Sequence, residues 1–306
     1  MEVITAIIPV VVLIGIGIFC KQSGLVSARG MADVKTIIAN IMLPVTLFHA
    51  LGNANYDKDT IRIVILFLLV EIAAMLVGYP LKRLIKNENS KFLPILLTTA
   101  ENGMLGYPLY IILCGQENLG YMATIDIAVT AFGFSVWSSV ISQIDSGDKI
   151  SGKSIFLSAI KNPCLWGVVL GVAAGVSGAM NWLMTSPINA LYNSTESLIV
   201  APISTMILIA LGYDLVFDKE RIMDVIPAVA IRYIVQIVLL LIVWQLIGKS
   251  VAYEMQTAIL LFFFLPVAFS SQVYVSQENS RSFIASFVSL YSVISIFAFA
   301  VLLVVR

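Results

Sequence analysis

Charge is scarce in this sequence. Of its 306 residues only 12% are Asp, Glu, Lys or Arg, and 18 basic residues balance 18 acidic ones. A soluble domain carries about twice that charged fraction, so the shortage excludes an aqueous globule. The zero balance excludes a nucleic-acid partner held by bulk electrostatics. Cysteine is equally sparse. Cys20, Cys114 and Cys164 stand singly inside apolar runs, without CxxC or Cys/His spacing, which argues against a disulfide framework or a thiolate metal site. The single histidine, His49, sits near one end of an apolar run, where an interfacial or packing role is expected. HExxH and GxSxG are absent, and Tyr213-Asp214 has no Gly-x-Gly-Asp partner. The sequence therefore carries no enzyme motif and implies no organic cofactor.

What remains is apolar. Hydrophobic residues make up 59% of the chain and the mean hydropathy is +0.98. Only lipid accommodates that much apolar surface, and a membrane helix needs about 20 mainly apolar residues. Spans are expected near 3–20, 34–52, 61–84, 92–115 and 120–142, then near 163–180, 187–212, 226–248, 256–275 and 282–305. The run Val3–Cys20 has no basic segment before it and no small-residue cleavage site after it, so it reads as a first span. The longest polar connection, Gln143–Lys161, divides the chain into two five-helix repeats, 1–145 and 155–306.

Basic residues orient the spans. Lys21, Arg29, Lys35, Lys82, Arg83, Lys86, Lys91, Lys149, Lys153, Lys161, Lys219, Arg221 and Arg281 fall on one side. Only Lys58, Arg62, Lys249 and Arg306 fall on the other. The first side is read as cytoplasmic, which leaves both termini extracytoplasmic. An odd number of spans per half means that a duplicated second half enters from the opposite face, as an inverted repeat.

The most informative string is Glu101-Asn102-Gly103-Met104-Leu105-Gly106-Tyr107-Pro108. Proline removes a backbone donor and clashes with the carbonyl four residues earlier, and the glycines loosen the chain further. Backbone freed at membrane depth has to be buried in protein or line a cavity. The ninth span repeats the device in Leu265-Pro266-Val267-Ala268-Phe269-Ser270-Ser271-Gln272. Pro44 in span 2, after Asn40, and Pro202 in span 7 fall at equivalent places of the two halves. Ionisable residues inside spans are functional candidates by default: Glu71, Glu101, Asp126 and Arg232. Glu71 and Arg232 are candidates for a buried structural pair, with a substrate carboxylate as the alternative partner of Arg232. Glu101 and Asp126 are candidates for a proton or sodium site, together with Asn102 and Ser270. Glu196 is read as a structural marker of the outer end of span 7.

Asn40-x-x-x-Pro44-x-x-x-Phe48, the Asn102-Gly103-x-Leu105-Gly106-x-Pro108 string, and Lys161-Asn162-Pro163 opening the second half resemble the auxin efflux carrier family. The resemblance runs in order through nearly the whole chain. It implies an all-α integral membrane fold like that of the bile acid sodium symporters, with helices 4 and 9 broken and crossing. Helices 1, 2, 6 and 7 would form a scaffold and helices 3–5 and 8–10 a core, with elevator-type alternating access. By match, Asn102 and Pro108 take the family's first crossover and Pro266 the second. Glu101 stands where the family usually has a small residue, and Ser270-Ser271 replaces an asparagine-containing string.

The resulting expectation is a secondary active transporter of a small organic acid anion in a plasma, bacterial inner, membrane, coupled to protons or sodium and a candidate homodimer. Substrate contacts are expected from Asn102, Gly106, Pro108, Pro266, Ser270, Ser271, Asn40, Pro44 and Arg232. Glu101, Asp126 and Glu71 are expected to serve coupling. The alternatives are a membrane-embedded ligand sensor with a transporter fold, and a channel.

Overall fold

A computed structural model describes residues 2–54, 56, 58–146, 160, 163–215, 219–275 and 277–305. Lys161, Asn162 and most of the connection between the halves lie outside the described residues. The described residues are helical with no strand. Among the described residues, five helices are long and apolar enough to cross a membrane: Ala28–Gly52, Lys58–Leu84, Asn189–Asp214, Arg221–Gly248 and Glu278–Val304.

Helical segments also fall in the other expected stretches, shorter or interrupted. They are α1 (Glu2–Gln22), α5 (Leu93–Leu96), α6 (Tyr107–Cys114), α7 (Leu119–Phe132), α8 (Ser138–Ser146), α9 (Pro163–Ser177), α10 (Ala179–Thr185) and α14 (Tyr253–Phe264). The expected span at 163–180 ends in a 78° bend between α9 and α10. Gly178, at the joint, has φ +77°, a left-handed conformation that glycine adopts without steric cost. If this pair is one broken span, it makes a sixth membrane-length element.

Prolines act less bluntly than their reputation. Pro44 follows a π-turn at Ile38–Met42, within the continuous Ala28–Gly52 helix, and Pro108 follows another at Asn102–Gly106. In each case the residue four before the proline lies in the wide turn, which makes room where the ring would strike a carbonyl. Both prolines then occupy the first turn of the helix that follows, α3 (Leu43–Gly52) and α6, where a missing N–H leaves nothing unsatisfied.

The chain forms two compact units. The first comprises residues 1–64, 103–127 and 160–214. Here α1 lies against α12 (Ile203–Asp214) so closely that a Cβ on Gly17 would strike Ile209 O and one on Gly212 would strike Ile14 O. The helices α3 and α9 meet in the same way, Gly167 facing the Pro44 carbonyl. Small residues at such seams let backbones approach, which is how membrane helices gain packing energy without a hydrophobic driving force. Lys35 and Asp214 add a half-exposed ion pair at 2.8 Å. Asp214 thus has a structural partner.

The second unit comprises residues 65–102, 128–159 and 215–306. It contains most of α4 (Lys58–Leu81), then α5, α8, α13 (Lys219–Val243), α14 and α15 (Glu278–Val305). Its interior is rich in aromatics, with Phe67 packed edge-on against Phe262 at 4.9 Å between centroids. The Phe262-Phe263-Phe264 run therefore begins in the core, Phe262 and Phe263 being buried.

Candidate functional site

The second unit holds two helix breaks. After α5 the backbone leaves the helix through Leu97–Glu101, and after α14 it does so at Leu265–Ala268. The first break lies upstream of Pro108. It comes where Thr98 turns its hydroxyl back onto Ile95 O at 2.8 Å and Thr99 adopts φ +52°, an uncommon conformation for a β-branched residue. The second lies at Pro266, where the sequence places it.

Breaking a helix exposes carbonyls that lipid cannot satisfy. Arg232 satisfies four of them here. Its Nη1 donates to Leu96 O and to Thr98 O at 2.9 Å, and its Nη2 to Thr99 O at 2.7 Å and Leu265 O at 3.1 Å. Gln236, one turn along the same face of α13, donates from Nε2 to Leu97 O at 2.7 Å. The guanidinium carbon lies 5.0 Å from the centre of the Tyr291 ring, a cation–π distance. Arg232 is 1% exposed. A charge so buried needs dense compensation, and the negative ends of two half-helices supply it.

Glu71 works on the same strand of backbone from α4. Its Oε2 accepts from Thr99 N at 2.7 Å. Among the described residues no ion pair joins Glu71 to Arg232; they meet through Thr99 instead. Glu101 then ties the two breaks to each other. Its N–H donates to Pro266 O at 2.8 Å and its Oε2 accepts from Phe269 N at 2.6 Å. The carboxylate that departs from the family pattern therefore has a backbone donor to satisfy. Ser271 is fully buried and turns back onto Ala268 O, while Ser295 bridges Phe264 O at 2.5 Å and Tyr291 O at 2.8 Å. Asn102 is buried, its N–H donating to Ala100 O at 2.9 Å. Nothing is described of the Ser270 side chain.

The remaining candidates belong to the first unit. Asp126 Oδ2 accepts from the Tyr107 hydroxyl at 2.5 Å, with Tyr107 buried. Gly106 caps α6 and Pro108 opens it. Asn40 is exposed on its π-turn, and Pro44 lines a cavity with Phe48 and Trp166. Sequence reasoning missed Gln236, Tyr107, Tyr291 and Thr99. Only Gln236 left a readable signal, a second polar side chain four residues after Arg232 in an apolar span.

A family model described as membrane transport protein matches residues 2–305. The chain belongs to that family. The resemblance to auxin efflux carriers is thereby established, and this is a multi-pass membrane protein of a transporter family. No curated protein matches the transporter.

Proposed function

We propose that this transporter moves a small organic acid anion across a plasma membrane by elevator-type alternating access. The observation that carries the reading is the meeting of two helix breaks in one unit, joined by Glu101 and held by Arg232. Discontinuous helices present backbone groups and partial charges at membrane depth, the recurring basis of substrate sites in secondary transporters. The topology we propose is ten spans in a five-plus-five inverted repeat with both termini extracytoplasmic. Helices 1, 2, 6 and 7 act as scaffold and the remainder as moving core.

Substrate contact is proposed for Asn102 beside the first break and for Pro266, Ser270 and Ser271 along the second, with Gly106 and Pro108 opening the helix that follows Asn102 in sequence. Arg232 acts one layer back, because both of its terminal nitrogens are already bonded to carbonyls. Glu71 and Glu101 each accept from a backbone N–H, so the proposed proton or sodium switch is Asp126 with its Tyr107 partner.

The test is substrate-induced current in proteoliposomes over a panel of small mono- and dicarboxylates, with pH and sodium varied independently. A saturable current abolished by Asn102→Ala supports the reading. Full transport by that variant removes Asn102 from the site.

A further inference from the structure

The first unit contains a cavity that the transport reading does not use. It has a volume of about 680 Å³ and is walled by Phe48 of α3, Trp166 and Leu170 of α9, and Tyr192 and Glu196 of α11 (Asn189–Val200). Tyr192 and Glu196 are four residues apart and so share a helix face. The close seam between α3 and α9 at Gly167 brings Phe48 and Trp166 to the same space. Trp166 is 46% and Leu170 52% exposed, so the mouth is apolar.

Glu196 is the exception in this apolar surround. It is only 7% exposed, and among the described residues no hydrogen bond or ion pair reaches its carboxylate. Its neighbour Tyr192 is bonded elsewhere, the hydroxyl lying 3.1 Å from His49 Nδ1 with the two rings stacked at 5.8 Å. A carboxylate that lines an apolar cavity without a partner is open to a counter-ion. A cation that brings its own apolar body matches both the carboxylate and its surround. Phe48, Trp166 and Tyr192 supply aromatic faces, the surfaces that recognise ammonium groups. An organic anion would meet repulsion from Glu196 here.

We infer that this cavity binds an ammonium group carried on an apolar body, with Glu196 as its counter-ion. The ligand has two sources that share this chemistry: an aminophospholipid of the bilayer or a free amphiphilic amine. The inference stands apart from the transport reading, since none of the proposed organic-anion contacts except the Pro44 motif borders this cavity.

The experiment uses the full-length protein in phosphatidylglycerol nanodiscs, titrated with radiolabelled decyltrimethylammonium. Saturable binding is expected, with affinity lowered about tenfold by Glu196→Gln, a difference of about 1.4 kcal/mol. Trp166→Leu should also weaken binding with the carboxylate intact, and both variants are checked for monodispersity and Tm. The neutral hydrocarbon analogue, carbon replacing nitrogen, should compete poorly. If both variants fail to fold, that competition on the wild-type protein decides. Replacing half of the phosphatidylglycerol with phosphatidylethanolamine separates the sources: lost probe binding assigns the lipid, unchanged binding a free amine. Unchanged affinity in folded Glu196→Gln, equal competition by the neutral analogue, or no saturable binding would overturn the inference.

Discussion

Glu71 and Arg232 hold a single residue, Thr99, by its two backbone groups. The carboxylate accepts from the Thr99 N–H at 2.7 Å and the guanidinium donates to the Thr99 carbonyl at 2.7 Å. Acid and base come from two different helices, and the unwound chain between them replaces the direct pair that two buried opposite charges would otherwise form. The arrangement explains why a helix can be interrupted inside an apolar unit without leaving its carbonyls unsatisfied.

Removing Arg232 should therefore be severe. Arg232→Met strands several buried carbonyls and should lower stability by about 3–5 kcal/mol, seen as a large drop in Tm in detergent. Arg232→Lys keeps the charge but loses the planar fork and should fall between. Glu71→Gln retains an oxygen for Thr99 N–H and should be milder than Glu71→Leu. Wild-type stability in Arg232→Met would mean the carbonyls find other donors.

Thr99 carries strain that can be relieved. Its φ of +52° is unfavourable for a β-branched side chain, and its buried hydroxyl has no hydrogen-bond partner among the described residues. Thr99→Asn, a residue that tolerates this conformation, should raise stability by about 1 kcal/mol. Thr99→Val keeps the strain and should gain only what removing the unpartnered hydroxyl returns, less than Thr99→Asn. A Tm that rises equally for both would place the effect in the hydroxyl alone.

Asp126 and Tyr107 test the coupling assignment. Asp126→Asn should leave transport with altered dependence on pH or sodium, measured as current under independent gradients. Tyr107→Phe, which removes only the donor at 2.5 Å, should shift that dependence in part. Unchanged ion dependence in Asp126→Asn would eliminate this pair as the switch.

The α1–α12 seam should tolerate no side chain. Gly212→Val places atoms against Ile14 O and should destabilise the protein by about 1–3 kcal/mol or more. Gly15→Ala is the control, because nothing lies within 4 Å of an added Cβ there. Equal melting temperatures for the two variants would show the seam to be loose.

Much of the architecture is legible in local composition. Helical segments fall where hydropathy places apolar runs, since in lipid a chain must satisfy its own backbone and a helix does so within one segment. The break at Pro266 is legible for the same local reason, proline's missing donor. Pro108 pointed to the right helix and the wrong residues. Its own π-turn and first-turn position accommodate it, while the backbone opens at Leu97–Glu101.

That displacement marks the boundary between what each level decides. Composition alone settled the solvent and the helical class, because desolvation acts on each residue regardless of its neighbours; of the buried charges it marked Glu71 and Arg232 and passed over Glu196. The partners of those charges were decided only in three dimensions. Arg232 reaches carbonyls more than a hundred positions earlier in the chain, and Glu101 reaches Phe269. Hydrogen bonds operate over about 3 Å, so they depend on which helices are adjacent, and no periodicity within one helix encodes that.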